Sequence, residues 1–97
     1  MRLDFYEDPG HGWLAVPLAL LDRLDLLDKV SSYSYMRGRL AHLEEDCDYS
    51  LFAAAMRDAG LSFSLRERHT DNPSRIRSYE PFSAARARAA LSEQQPR

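Results

Sequence analysis

The sequence predicts a two-layer α+β domain: a mainly antiparallel sheet with two helices on one face, and a loosely docked C-terminal helix or tail. Three observations predict it. Short segments of alternating side chains are joined by tight turns, as at Glu7-Asp8-Pro9-Gly10 and Arg37-Gly38. Two segments, near Leu18–Leu24 and Tyr49–Ala59, carry apolar residues at helical spacing. The chain of 97 residues has no internal repeat and no linker long enough to divide it. One core is therefore expected within residues 1–82, followed by an alanine- and arginine-rich segment at 83–97.

Taken in order, Arg2 to Tyr6 is the opening strand, with Leu3 and Phe5 on one side. A Pro-Gly turn leads to His11–Val16, a strand apolar on both faces, as a covered or central strand is. Pro17 suits the first turn of a helix, where a missing N–H costs nothing. Leu18, Leu21 and Leu24 form that helix's buried stripe, and Asp25 tolerates the left-handed conformation that ends it. Tyr33 and Tyr35 alternate with serines and Met36 on a third strand. Gly38 is free to take the positive φ its turn requires. Arg39–Glu45 is the returning strand, with Leu40, His42 and Glu44 on one face. Asp46 or Asp48 is placed to cap the helix at Tyr49–Ala59, which Gly60 stops.

Leu61 to Arg68 reads as the clearest strand, with Leu61, Phe63 and Leu65 inward and Arg66 and Arg68 outward. After loop chemistry at His69–Ser74, Arg75–Tyr79 is expected to add an edge strand that Pro81 stops. Ser83–Leu91 has good helix propensity and a thin apolar face. Because both helices follow strands directly, the other sheet face is left for water or a partner.

Composition narrows the function classes. The longest apolar run, Trp13–Leu21, is too short to span a bilayer and contains Pro17; no basic segment with an apolar stretch opens the chain. The single cysteine, Cys47, fits a reducing cytoplasm. The net charge of −2 hides an asymmetry: residues 1–50 carry ten acids and five bases, residues 51–97 five acids and eight bases, all arginine. An acidic half imitates or repels nucleic acid, and an arginine-rich half attracts it.

Three strings carry a resemblance: His11-Gly12-Trp13-Leu14-x-Val16-Pro17, Asp28-Lys29-Val30-Ser31-Ser32-Tyr33-Ser34-Tyr35, and Leu43-Glu44-Glu45-Asp46-Cys47-Asp48. In order and spacing the chain resembles, over residues 5–82, small uncharacterised proteins encoded by phages and other mobile elements. The resemblance brings no activity, cofactor or catalytic residue. It implies a setting, in which small accessory proteins bind and block host machinery, anti-CRISPR proteins among them.

The candidate chemistry is that of surfaces. Glu44, Glu45, Asp46 and Asp48 put four carboxylates in five residues where a strand passes into a helix, an acidic rim suited to a cationic groove. Arg66, Arg68, Arg75 and Arg77 form a basic patch on one side of the sheet, provided their two strands are neighbours. His42, Glu44, Asp46 and Cys47 match no zinc spacing, so no metal site is expected. Cys47 is expected to be buried and inert, its acidic neighbours disfavouring the thiolate. His11 and His69 have no nucleophile at a telling spacing, so no enzyme is expected. The sequence thus points to a non-catalytic protein without cofactor that blocks a host protein or ribonucleoprotein complex in the host cytoplasm through the acidic rim. The alternative is a small nucleic-acid-binding or regulatory module using the arginine-rich sheet face.

Overall fold

The computed structural model describes residues 1–93. Its elements are β1 (Arg2–Glu7), β2 (Gly12–Pro17), α1 (Leu18–Arg23), β3 (Tyr35–Arg37), β4 (Leu40–Glu44), α2 (Tyr49–Asp58), β5 (Ser64–His69), a 3-10 helix (Arg75–Ser78), β6 (Glu80–Pro81) and α3 (Ala84–Glu93). The strands form one sheet in the order β5-β1-β2-β4-β3-β6. Every pairing is antiparallel except β1 with β5. This is the two-layer α+β architecture expected, with one parallel edge.

Alternation along the strands sorts their side chains onto two faces. Leu3, Leu14, Val16, Met36, Ala41 and Leu43 meet Leu18, Leu20 and Leu21 of α1, Phe52 and Met56 of α2, and Ala87 of α3 in one buried cluster. β2 is buried at five of its six positions, the central strand its two apolar faces announce. Pro17 closes β2 and caps α1 rather than occupying the first helical turn. Asp25, Gly38 and Gly60 all take positive φ, as the turn and helix-stop readings require. α3 contributes the fully buried Ala87 and packs against α1, while Arg88 forks onto Asp28 at 3.0 and 2.7 Å. Residues 94–97 of the expected tail lie outside those described.

Two strands differ from expectation. β5 starts at Ser64, and all six of its residues are exposed. It pairs beyond β1, with Arg2 opposite Ser64 and Glu7 opposite His69. Leu61 and Leu65 therefore stand exposed, and only Phe63 packs, half-buried, beside Tyr49 and Phe52. Alternation reveals that side chains point two ways, but not whether a helix covers either face. The second difference is Arg75–Ser78, a short helix and not a strand. The Ser74 hydroxyl accepts from Ile76 N at its start, and Ile76 is buried. This segment crosses the sheet face opposite the helices, so that face is partly covered.

The turn into α2 is also built differently. Asp48 is the residue before the helix, but its side chain makes no cap. Its carboxylate reaches back to accept from the Ser31 amide, the Ser31 hydroxyl at 2.7 Å, and the Ser34 hydroxyl. Ser34, fully buried, in turn accepts from Glu44 N at 2.9 Å. The chain between α1 and β3 is thereby tied to the start of α2. Asp48→Asn turns one acceptor into a donor facing hydroxyls and is expected to cost about 1–2 kcal/mol. Urea melts of the variant check this; an unchanged midpoint would mean that the Ser31–Ser34 segment is held by packing alone.

Candidate functional site

On the sheet face away from the helices, alternate residues of neighbouring strands lie side by side: Tyr6, Trp13 and Glu44 in one row, Ala15, His42 and Tyr35 in the next. The 3-10 segment lies across them. The Tyr79 ring meets His42 edge-on at 5.2 Å, and Arg77 lies over Trp13 at 5.3 Å. Asp8, its side chain fully enclosed, anchors the crossing. It accepts from Arg77 Nε at 2.7 Å and Nη2 at 2.9 Å, and from the amides of Ser74, Gly10 and His11. The Arg77 guanidinium, with the Ser74 amide, holds the Asp8 carboxyl far below the usual carboxylate range.

Between this crossing and the sheet lies a groove of about 610 Å³, lined by Tyr6, His42 and Tyr79, by Arg37 and Arg75, and by Thr70, Pro73, Ser74, Leu40 and Ile76. None of its described lining residues carries a carboxylate. Arg37 stacks on Tyr79 at 5.1 Å. His42 is buried among rings, and its Nδ1 makes no hydrogen bond. Desolvation alone pushes its imidazole down to about 4, so it is neutral near pH 7.

The four arginines expected together are separated. Arg66 and Arg68 stand on β5 at one sheet edge, and Arg75 and Arg77 sit in the 3-10 helix over the sheet's open face. Arg66 forks onto Asp4 at 2.6 and 3.1 Å, Arg68 lies 3.8 Å from the same carboxylate, and Arg77 is held by Asp8. Only Arg75 of the four is without an ion pair among the described residues. The cation that joins it in the groove is Arg37, at the end of β3 ahead of the hairpin glycine.

The acidic rim contracts in a comparable way. Glu44 and Asp48 are buried, at 7% and 2% exposure, and only Glu45 and Asp46 face solvent. Glu44 folds over its own turn, its Oε2 accepting from the Asp46 and Cys47 amides at 2.9 Å each. Partial burial, then the charges of Asp46 and Glu44, push the Glu45 carboxyl up. Cys47 is exposed rather than buried. Its thiol is nevertheless pushed up, first by a hydrogen bond to Glu44 and then by desolvation and the surrounding carboxylates, which is the unreactive direction expected. Tyr33 precedes the strand and is exposed, whereas Tyr35 lies half-buried with its ring edge toward Trp13, so the two do not alternate on one strand as expected. The metal-like quartet of the sequence does not assemble, since His42 faces Tyr79. What joins Glu44 is His11, whose Nδ1 is 3.5 Å from Glu44 Oε1.

No described helix is long and apolar enough to cross a membrane. Comparison of the chain with protein-family models, curated proteins and solved structures finds no match in any of the three.

Proposed function

We propose that this is a non-catalytic binding protein whose working surface is the groove between the sheet and the 3-10 segment, and that its partner is a flexible polyanion with planar groups, a single-stranded nucleic acid. The observation that carries the reading is the groove's lining: three aromatic rings and two arginines that have no ion pair among the described residues, with no described carboxylate beside them. Rings stack with bases of any sequence, and guanidinium groups meet phosphates. His42, at the floor of the groove, is neutral near pH 7, and its Nδ1 carries no hydrogen bond among the described residues, so the ring offers a face rather than a charge.

Fluorescence anisotropy with a labelled single-stranded oligonucleotide tests it. Binding should weaken with salt, fall about tenfold or more in Tyr79→Ala, and vanish in Arg37→Ala with Arg75→Ala while the melting temperature holds. Salt-insensitive binding, or binding untouched by the double variant, would place the partner elsewhere.

A second reading follows from the resemblance to phage and mobile-element proteins: a blocker of a host ribonucleoprotein complex, contacting it through the acidic corner. Its support is the clustering of Glu45 and Asp46 beside Glu44 at one corner of the fold. Glu45→Lys with Asp46→Lys is the variant for this reading, because both are exposed and Glu44 is committed to its own turn. Loss of inhibition of an effector complex in that variant, with naked oligonucleotide unbound by the wild type, favours the blocker.

A further inference from the structure

We propose that His11, Glu44, Glu45 and Asp46 form a site for one divalent transition-metal ion, independent of the groove and its partner. The four residues come from two places in sequence that the β1–β2 turn and the β4–α2 turn bring together, and one ligand atom from each lies within 4.8 Å of all the others. An ion about 2.0–2.2 Å from each ligand holds neighbouring ligand atoms about 3.0–3.5 Å apart. His11 Nδ1 and Glu44 Oε1 are already 3.5 Å apart, so only small side-chain rotations of Glu45 and Asp46, both exposed, close the set.

The decisive atom is Glu44 Oε1. The Glu44 side chain is 9% exposed, and while Oε2 is satisfied by two amides, Oε1 is buried with no hydrogen bond among the described residues, the His11 imidazole lying 3.5 Å away. A carboxylate oxygen removed from water without a partner costs more than a small domain tolerates idly, unless something else meets it. This oxygen is aimed at the imidazole, where an ion shared with Glu45 and Asp46 would meet it. The two turns are held for this. Asp8 fixes the His11 amide, the Glu45 amide bonds to Gly12 O at 3.0 Å, and Glu44 Oε2 fixes the Asp46 and Cys47 amides. A Cβ on Gly12 would meet the Phe5 ring first and Glu45 Oε2 at 2.9 Å, so the close approach of these turns needs glycine there. Arg77, which lines the adjoining recess, is paired with Asp8 at 2.7 Å.

One imidazole nitrogen with three carboxylate oxygens suits Mn²⁺ or Zn²⁺. The imidazole disfavours Mg²⁺ and Ca²⁺, and the lack of a thiolate in the set disfavours Cu(I). Titration calorimetry of the chelator-treated full chain with Zn²⁺ and, separately, Mn²⁺ tests the assignment. One ion per chain is expected. His11→Ala and Glu44→Gln should each weaken binding about tenfold or more, while His69→Ala, at the far end of β5, leaves it unchanged. Gln keeps the acceptor that Glu44 offers its own turn; should that variant fail to fold, Glu45→Gln with His11→Ala in an otherwise intact exposed corner answers the same question. The Mn²⁺ electron spin-echo signal should show nitrogen coupling that His11→Ala removes. Failure of both ions to bind one-to-one, affinity unchanged in His11→Ala, or affinity lost in His69→Ala would each overturn the site.

Discussion

Phe52→Ala is expected to lower the unfolding free energy by about 3–5 kcal/mol, a large part of the roughly 5–15 kcal/mol typical of a domain this size. Phe52 is fully buried on the sheet-facing side of α2, one turn before Met56, and its ring lies 5.3 Å from that of Phe63. Truncation removes the transfer free energy of a ring and leaves a cavity that neighbouring strands, locked by their ladder bonds, fill only in part. Because α2 is the connection between β4 and the parallel edge β5, its loosening should also release β5. Urea denaturation should show a lower midpoint at unchanged slope. A loss below about 1 kcal/mol would mean that α2 does not cover the sheet as described.

Acidification from pH 7 to pH 4 is expected to remove up to about 3 kcal/mol of stability through His42 alone. The unfolded chain takes a proton on this imidazole near pH 6.5, and the folded chain only near pH 4, because burial disfavours the charged ring. Between those values the unfolded state binds more protons, so stability is fully present above pH 6.5, falls with pH, and is not lost further through this group below pH 4. His42→Phe should flatten the slope in this window while keeping the ring contact with Tyr79, since Nδ1 has no hydrogen bond to lose. Asp8 acts in a separate window. Its carboxyl is held low by Arg77, so its contribution is present above the ordinary carboxylate value and lost as pH falls below it. Urea midpoints at several pH values for the wild type and His42→Phe check the assignment, and parallel curves would reject it.

Legibility in the sequence followed the range of the interactions. The hairpin at Gly38, the left-handed Asp25, the buried stripes of α1 and α2 and the doubly apolar β2 all depend on residues within a few positions of one another, where sterics and periodicity decide. The acidic rim was legible as composition, yet its chemistry was not. Whether Glu44 or Glu45 faces water depends on which turn folds against it, and Gly12 and His11 lie more than 30 positions away.

By itself the sequence determined a two-layer α+β chain, the position of its central strand, and the helices that cover one face, because alternation, helical spacing and turn residues act locally. The tertiary structure alone decided that β5 pairs parallel to β1 at an exposed edge, because ladder hydrogen bonds come from a backbone common to all residues and carry no record of their partner. It alone decided that Asp8 and Arg77, 69 positions apart, clamp a 3-10 helix over the sheet and so open a groove between Tyr6, His42 and Tyr79. A charge is satisfied by whichever opposite charge the fold delivers to it, and that delivery is a property of the packed chain.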